Sequence, residues 1–132
     1  MSRGNAYQNI FLDDQDRRAF LKNLEACIEL HNLVCHAYCL MDNHTHLVVL
    51  PRDEQSLTRA IGETHRRYTR AVNFREGWRG YLWQGRFGSV ALDEPPLIAA
   101  VRYVERNPVA ARIVRRAEDY PWSSARAHVR GV

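Results

Sequence analysis

The segment Met41-Asp42-Asn43-His44-Thr45-His46-Leu47-Val48-Val49-Leu50-Pro51 decides how this chain reads. Asp42-Asn43 is turn chemistry, because such side chains bond their own backbone and tolerate tight turns. Residues 44–50 are strand-compatible, with β-branched Thr45, Val48 and Val49, and Pro51 closes the run. Upstream, residues 33–41 carry Val34, Cys35, Tyr38 and Leu40 and read as a partner strand. The pair predicts an antiparallel hairpin. Side chains two apart on a strand share a face, about 6–7 Å apart at the backbone. His44 and His46 can therefore converge on one metal ion while Thr45 points the other way. Taken alone, such a pair serves packing or solvent contact equally well, and two imidazoles leave a metal site incomplete.

Helices flank this hairpin. The first ten residues, with Gly4, Asn5, Gln8 and Asn9, read as irregular. Asp13 or Asp14 then caps a helix whose apolar stripe is Phe20, Leu24, Cys27 and Ile28, ending at Asn32. A second helix, from about residue 56 to 73, carries the stripe Leu57, Ile61, Tyr68 and Val72. Arg59, Arg66, Arg67 and Arg70 decorate the rest of it, as a solvated face or as phosphate contacts. Residues 77–80 read as a loop, and Trp83-Gln84-Gly85-Arg86 leads into a short strand over 87–92. Asp93-Glu94-Pro95-Pro96 is a helix start, with acids at the positive end of the dipole and proline in the first turn. That helix runs through Leu97, Ile98, Val101 and Tyr103 until Asn107-Pro108 ends or kinks it. A further helical stretch is expected over 109–116, then a tail packed by Tyr120-Pro121-Trp122 and a short helix from Ser123. The order predicts one α+β domain over 1–132, with a mainly antiparallel sheet.

Composition narrows the class. With 132 residues, 45% hydrophobic and 26% charged, the chain can build one ordinary core. No apolar run approaches the roughly 18 residues that span a bilayer, and no signal peptide is legible, so a cytoplasmic protein is expected. Three cysteines, at 27, 35 and 39, argue against a disulfide framework. Cys35 and Cys39, four apart in a strand, are expected to share a face as structural thiols. The net charge is +4, and every basic residue except Lys22 is arginine. Arginine's planar fork suits phosphates and base edges, so nucleic acid is a natural partner.

Tyr103 and Asn107 are four apart on the predicted helix and so lie on one face of it. If that face meets the histidine strand, the Asn107 amide oxygen supplies a third ligand and Tyr103 stands beside the metal. Individually, Tyr103 also reads as a core aromatic with its hydroxyl at the rim, and Asn107 as a helix-end residue. Together the four residues make a reaction site. A scissile phosphate repels a nucleophile; a divalent cation offsets that charge, and neutral imidazole and amide ligands leave the cation's charge available. A tyrosine phenol, with a pKa near about 10, needs a metal or base to lose its proton. Its attack on phosphorus gives a covalent phosphotyrosine that keeps the bond energy for rejoining.

At this point the chain resembles a known family. Met41-Asp42-Asn43-His44-Thr45-His46-Leu47-Val48-Val49, Trp83-Gln84-Gly85-Arg86-Phe87 and Tyr103-Val104-Glu105-Arg106-Asn107-Pro108-Val109 resemble the single-tyrosine HUH transposases, and most closely their REP-associated tyrosine transposase branch. Tyr120-Pro121-Trp122-Ser123-Ser124 is similar to that branch too, so the resemblance covers nearly the whole chain. It implies a ferredoxin-like α+β fold, Mg²⁺ or Mn²⁺ dependence, and cleavage of single-stranded DNA beside a hairpin or palindromic repeat. It implies His44 and His46 as metal ligands, Asn107 as the third, and Tyr103 as the nucleophile forming a 5′-phosphotyrosine. Relatives act as dimers that trade the tyrosine helix or as monomers, so either state is open.

Two features depart from the pattern. Thr45 stands where the family has a bulky apolar residue. The family's first strand ends in Arg-Gly just before the first helix, and Ser2-Arg3-Gly4-Asn5 is all that corresponds, so a truncated strand and a weakened sheet are expected. Arg86, Arg66, Arg67 and Arg70 are candidate phosphate contacts, and Trp78, Tyr81 and Trp83 candidate stacking platforms. Glu105 is expected at the surface, and His31, His36, His65 and His128 without a site role. The competing reading is a non-cleaving module that grips hairpin DNA or RNA. A small-substrate metal hydrolase ranks last, for want of an acidic ligand or base near the histidines.

Overall fold

The computed structural model describes residues 2–3, 10–77 and 94–130. The expected strand over 87–92, and Trp78, Tyr81, Trp83 and Arg86, lie outside them. The described elements are β1 (Ser2–Arg3), α1 (Asp14–Leu30), β2 (Val34–Leu40), β3 (His44–Leu50), α2 (Glu54–Glu76), α3 (Glu94–Ala110) and α4 (Ala125–Arg130). The sheet order is β1-β3-β2, with both pairings antiparallel. The fold is α+β, as expected. β1 and β2, joined through α1, flank β3 on either side, the arrangement of a ferredoxin-like split βαβ unit.

Local chemistry sets the boundaries. Asp13 caps α1, its carboxylate accepting from the Asp16 N–H at 2.9 Å, and Asp53 caps α2 by accepting from the Ser56 N–H at 2.7 Å. α1 ends with Asn32 at φ 57, where the Leu33 N–H donates to the Ile28 carbonyl and the Asn32 N–H to that of Glu29. This is a Schellman closure, and Leu33 packs back on Ile28 as such closures favour. Gly77 ends α2 at φ 69, a left-handed position natural to glycine.

α3 departs from expectation. Asn107-Pro108 does not end it: the helix continues to Ala110 with Pro108 inside. The Pro108 ring is among the most buried side chains, and that burial offsets the lost N–H bond. A second Schellman closure then stops the helix, with Arg112 at φ 61, Arg112 N–H donating to Val109 and Ile113 N–H to Pro108. The stretch over 109–116 is thus a helix end followed by bends, not a separate helix.

The hairpin alternates as its sequence implied. Leu40 and Tyr38 from β2 and Leu47 from β3 face α1 and α2, packing with Phe11, Phe20, Leu24, Ile61, Tyr68 and Val72. Ala37, Cys39 and Val48 face α3 and the tail, packing with Val101, Val104 and Tyr120. A bulge breaks the register between Cys35 and Ala37. It sets Cys35 opposite Val49 and Cys39 opposite His46, so the two thiols fall on opposite faces, contrary to the simple strand count. Burial pushes the Cys35 thiol up to about 11 and the Cys39 thiol up to about 12, which keeps both inert as nucleophiles.

Short as β1 is, it pairs where the site needs support: Ser2 with Thr45 and Arg3 with His44. The hairpin turn is also fixed from outside, because the Asp42 carbonyl accepts from Ile10 N–H at 2.9 Å and its carboxylate pairs with Arg17 at 2.5 Å. Among the described residues no helix is long and apolar enough to cross a membrane.

Candidate functional site

β3 sends His44, His46 and Val48 toward α3, and Thr45, Leu47 and Val49 toward α1 and α2. The two imidazoles meet edge to face with ring centroids 4.9 Å apart. His46 is buried at 8% exposure, and His44 is half-buried. The Asn43 amide oxygen accepts from His44 Nδ1 at 2.7 Å. That bond puts the proton on Nδ1 and leaves the lone pair on Nε2, the way supporting partners orient metal-binding histidines.

α3 packs across β2 and β3 and brings its flank to the same place. The Tyr103 ring stands edge-on to His46, centroids 5.9 Å apart at 90°, and is 65% exposed. One turn further, the Asn107 amide nitrogen donates to His46 Nε2 at 3.4 Å. So the four residues singled out by the sequence, His44, His46, Tyr103 and Asn107, come together from two elements.

The donor set suits a divalent cation. The two histidines present nitrogen lone pairs, and the Asn107 amide reaches His46 Nε2, so turning that amide over would aim its oxygen there without moving the helix. Among the described residues no group of three His, Cys, Asp or Glu side chains could hold a metal. A cation held by His44 and His46 would have the Asn107 amide as its third protein ligand, and all three would be neutral. Beside them the exposed Tyr103 presents its phenol to solvent.

Other expected residues are placed differently. Arg66, Arg67 and Arg70 are exposed on α2, which covers the sheet face opposite the histidines, and Arg67 is engaged by Glu63 at 2.7 Å. Glu105 is not at the surface. It is 9% exposed and bonded to Ser124 and His128. Sequence reasoning also passed over Asn43 as the partner of His44, though its place before the histidine strand was a signal. Arg102 and Arg106, exposed one turn apart on the α3 flank next to Tyr103, were not singled out either. Their four-residue spacing around the tyrosine could have flagged them.

A family model described as an IS200-like transposase matches residues 5–107. A solved structure of a REP-associated tyrosine transposase bound to a REP hairpin matches with a TM-score of 0.79 at 19% identity, covering 98% of this chain and 76% of that one. At that identity the likeness speaks for the fold. No curated protein sequence matches the chain.

Proposed function

This chain belongs to the IS200-like transposase family, and on that premise we propose that it cuts and rejoins single-stranded DNA beside a hairpin, with Tyr103 as the nucleophile. The observation that carries the reading is the exposed Tyr103 phenol edge-on to His46, with Asn107 one turn along the same helix. A Mg²⁺ or Mn²⁺ ion held by His44, His46 and Asn107 would supply the positive charge that offsets a scissile phosphate and favours the phenolate. The chain's own residues do the rest. Asn43 holds the His44 tautomer, and the sheet and α3 hold the tyrosine at a fixed approach.

In the step itself the Tyr103 phenol gives its proton to solvent, and its oxygen forms a bond to phosphorus. The bond from phosphorus to the 3′-oxygen breaks, and that oxygen takes a proton from solvent and leaves as a 3′-hydroxyl. The product is a 5′-phosphotyrosine, whose energy is close to that of the phosphodiester, so another 3′-hydroxyl can reverse the attack and join a new strand.

The hairpin partner is extended to this chain from the solved relative, which holds a REP hairpin. The arginine excess supports a phosphate-rich ligand, and we assign the strand at the site to Arg102 and Arg106 beside the tyrosine, with Arg86 and Trp83 as sequence candidates for the stem. Arg66, Arg67 and Arg70 lie behind the sheet, away from that strand. The test is a denaturing gel after incubation with hairpin-flanked single-stranded DNA and Mn²⁺. The wild type should form a denaturation-resistant DNA adduct, and Tyr103→Phe should bind the DNA but form none. An adduct that survives in Tyr103→Phe rejects this nucleophile. Salt-dependent binding with no adduct in the wild type supports the non-cleaving module instead.

A further inference from the structure

We infer that Glu105, clasped by Ser124 and His128 of the C-terminal tail, is a positioning residue that sets where α3 presents Tyr103 and Asn107 to His46. In sequence Glu105 lies midway between Tyr103 and Asn107. At about 100° per residue it points to the side of the helix away from both. It is 9% exposed, and a carboxylate withdrawn from water this far must be paired. Its Oε2 accepts from Ser124 Oγ at 2.5 Å and from His128 Nδ1 at 2.5 Å.

The clasp leads directly to the histidine strand. Ser124 Oγ accepts from the Tyr38 N–H at 3.0 Å, and the Ser124 N–H donates to the Tyr38 carbonyl at 3.1 Å. The next β2 residue, Cys39, bridges to Ser123 on its outer edge and pairs with His46 on its inner edge. The tail is itself anchored, with Leu40 N–H donating to the Trp122 carbonyl at 2.9 Å and Tyr120 Oη to the Leu40 carbonyl at 2.5 Å. A chain of directional bonds thus runs from α3 through the tail to the residue opposite His46.

Packing leaves part of that placement to directional bonds. The α3–sheet interface joins the small side chains of Ala37, Cys39 and Ala100 and the valines Val48, Val101 and Val104 with the larger Met41, Leu97 and Tyr120. Apolar contact is non-directional and tolerates a helix sliding along the strands. The clasp removes that freedom. It also engages this acidic side chain of α3 on the flank of the helix away from Tyr103.

The rate consequence rests on the reading of Tyr103 as nucleophile, whereas the geometric one does not, so the two are measured separately. In the metal-free full chain, NMR should show a cross-relaxation peak between the Tyr103 and His46 rings and a defined Asn107 side-chain amide signal. Glu105→Ala should lose that peak and shift the amide. Its single-turnover adduct formation should fall by about tenfold to a hundredfold while hairpin DNA affinity holds within about twofold, the pattern of a misplaced reacting group. Glu105→Gln keeps an oxygen for Ser124 and should restore the peak and most of the rate, a rescue that a residue serving only stability would not give. Ser124→Ala, alone or with His128→Ala, makes the same cut from the tail side if Glu105→Ala does not fold. An unchanged ring–ring peak in a folded variant lacking the clasp overturns the inference, as does failure of Gln to rescue. If the wild type forms no adduct, the strand-transfer reading fails, and the NMR arm still decides the positioning role.

Discussion

The two faces of one hairpin do different work. Toward α1 and α2, the sheet meets Phe11, Phe20 and Tyr68, whose rings stand 5.4 to 5.6 Å apart in edge and tilted contacts. Toward α3, the same strands meet a helix flank that carries an exposed tyrosine and an asparagine beside a second apolar cluster that includes Met41, Val48, Val104 and Tyr120. β3 supplies both faces by strict alternation: Thr45 and Leu47 go to the aromatic side, His44 and His46 to the other. The difference teaches that the stability of this fold and its chemistry can be separated residue by residue along a single strand.

That separation is open to attack by mutation. The largest effect is expected at His46→Ala, which removes a proposed ligand and Tyr103's ring neighbour. Adduct formation should fall by at least roughly 100-fold, more than the loss of a supporting partner of a metal ligand typically costs. The melting temperature should move little by comparison with a core truncation. Next is Phe20→Ala on the other face, at 0% exposure, where truncation should cost about 3–5 kcal/mol in chemical denaturation. Adduct formation per folded molecule should be retained. If His46→Ala instead unfolds the chain, or Phe20→Ala inactivates without destabilising, the two faces are not separable.

How much of this could be read from the sequence depends on the range of the forces involved. The hairpin ends, the Asp13 cap and the α2 stripe are local signals, set by turn chemistry and periodicity, and they were legible, whereas the Asp53 cap was passed over and α2 begins at Glu54, ahead of the expected residue 56. So was the set His44, His46, Tyr103 and Asn107, because alternation on a strand and spacing on a helix each put a pair on one face. The helix end after Pro108 was not legible. A buried proline ring and a left-handed arginine are tertiary outcomes that override local preference. The bulge at Cys35 and Ala37 had no signature in composition, and it alone turned Cys35 away from Cys39. Glu105 was misread because its partners, Ser124 and His128, lie about twenty residues on, and no local rule joins them.

Smaller effects sharpen the same contrast. Burial by itself would raise the Asp16 carboxyl, but hydrogen bonds from Arg75 and the Leu12 N–H, with the charges of Arg75 and Arg17, hold it below its ordinary value. A carboxyl lowered on folding contributes stability that is full above its unfolded value and is lost as pH falls through the folded one. Arg75→Ala should therefore lower the melting temperature at neutral pH, and the gap from the wild type should close as pH drops below about 4. A gap that stays constant into acid would remove Asp16 from the account of the α1–α2 side. The smallest effect is expected at Thr45→Val. Thr45 Oγ1 is buried and has no hydrogen-bond partner among the described residues. Replacing that hydroxyl with a methyl should stabilise the chain by about 1 kcal/mol in denaturant titration. Adduct formation should stay the same, since the side chain faces the aromatic core.

The central claim, that Tyr103 beside the histidine strand is the group that joins DNA, is tested most directly by mapping the adduct. The wild-type protein would be trapped with hairpin-flanked single-stranded DNA and Mn²⁺, trimmed with nuclease and protease, and sequenced by mass spectrometry. The account predicts a nucleotide phosphate on the peptide containing Tyr103, linked through the tyrosine oxygen. A phosphate carried by any other residue, with Tyr103 unmodified, would contradict it.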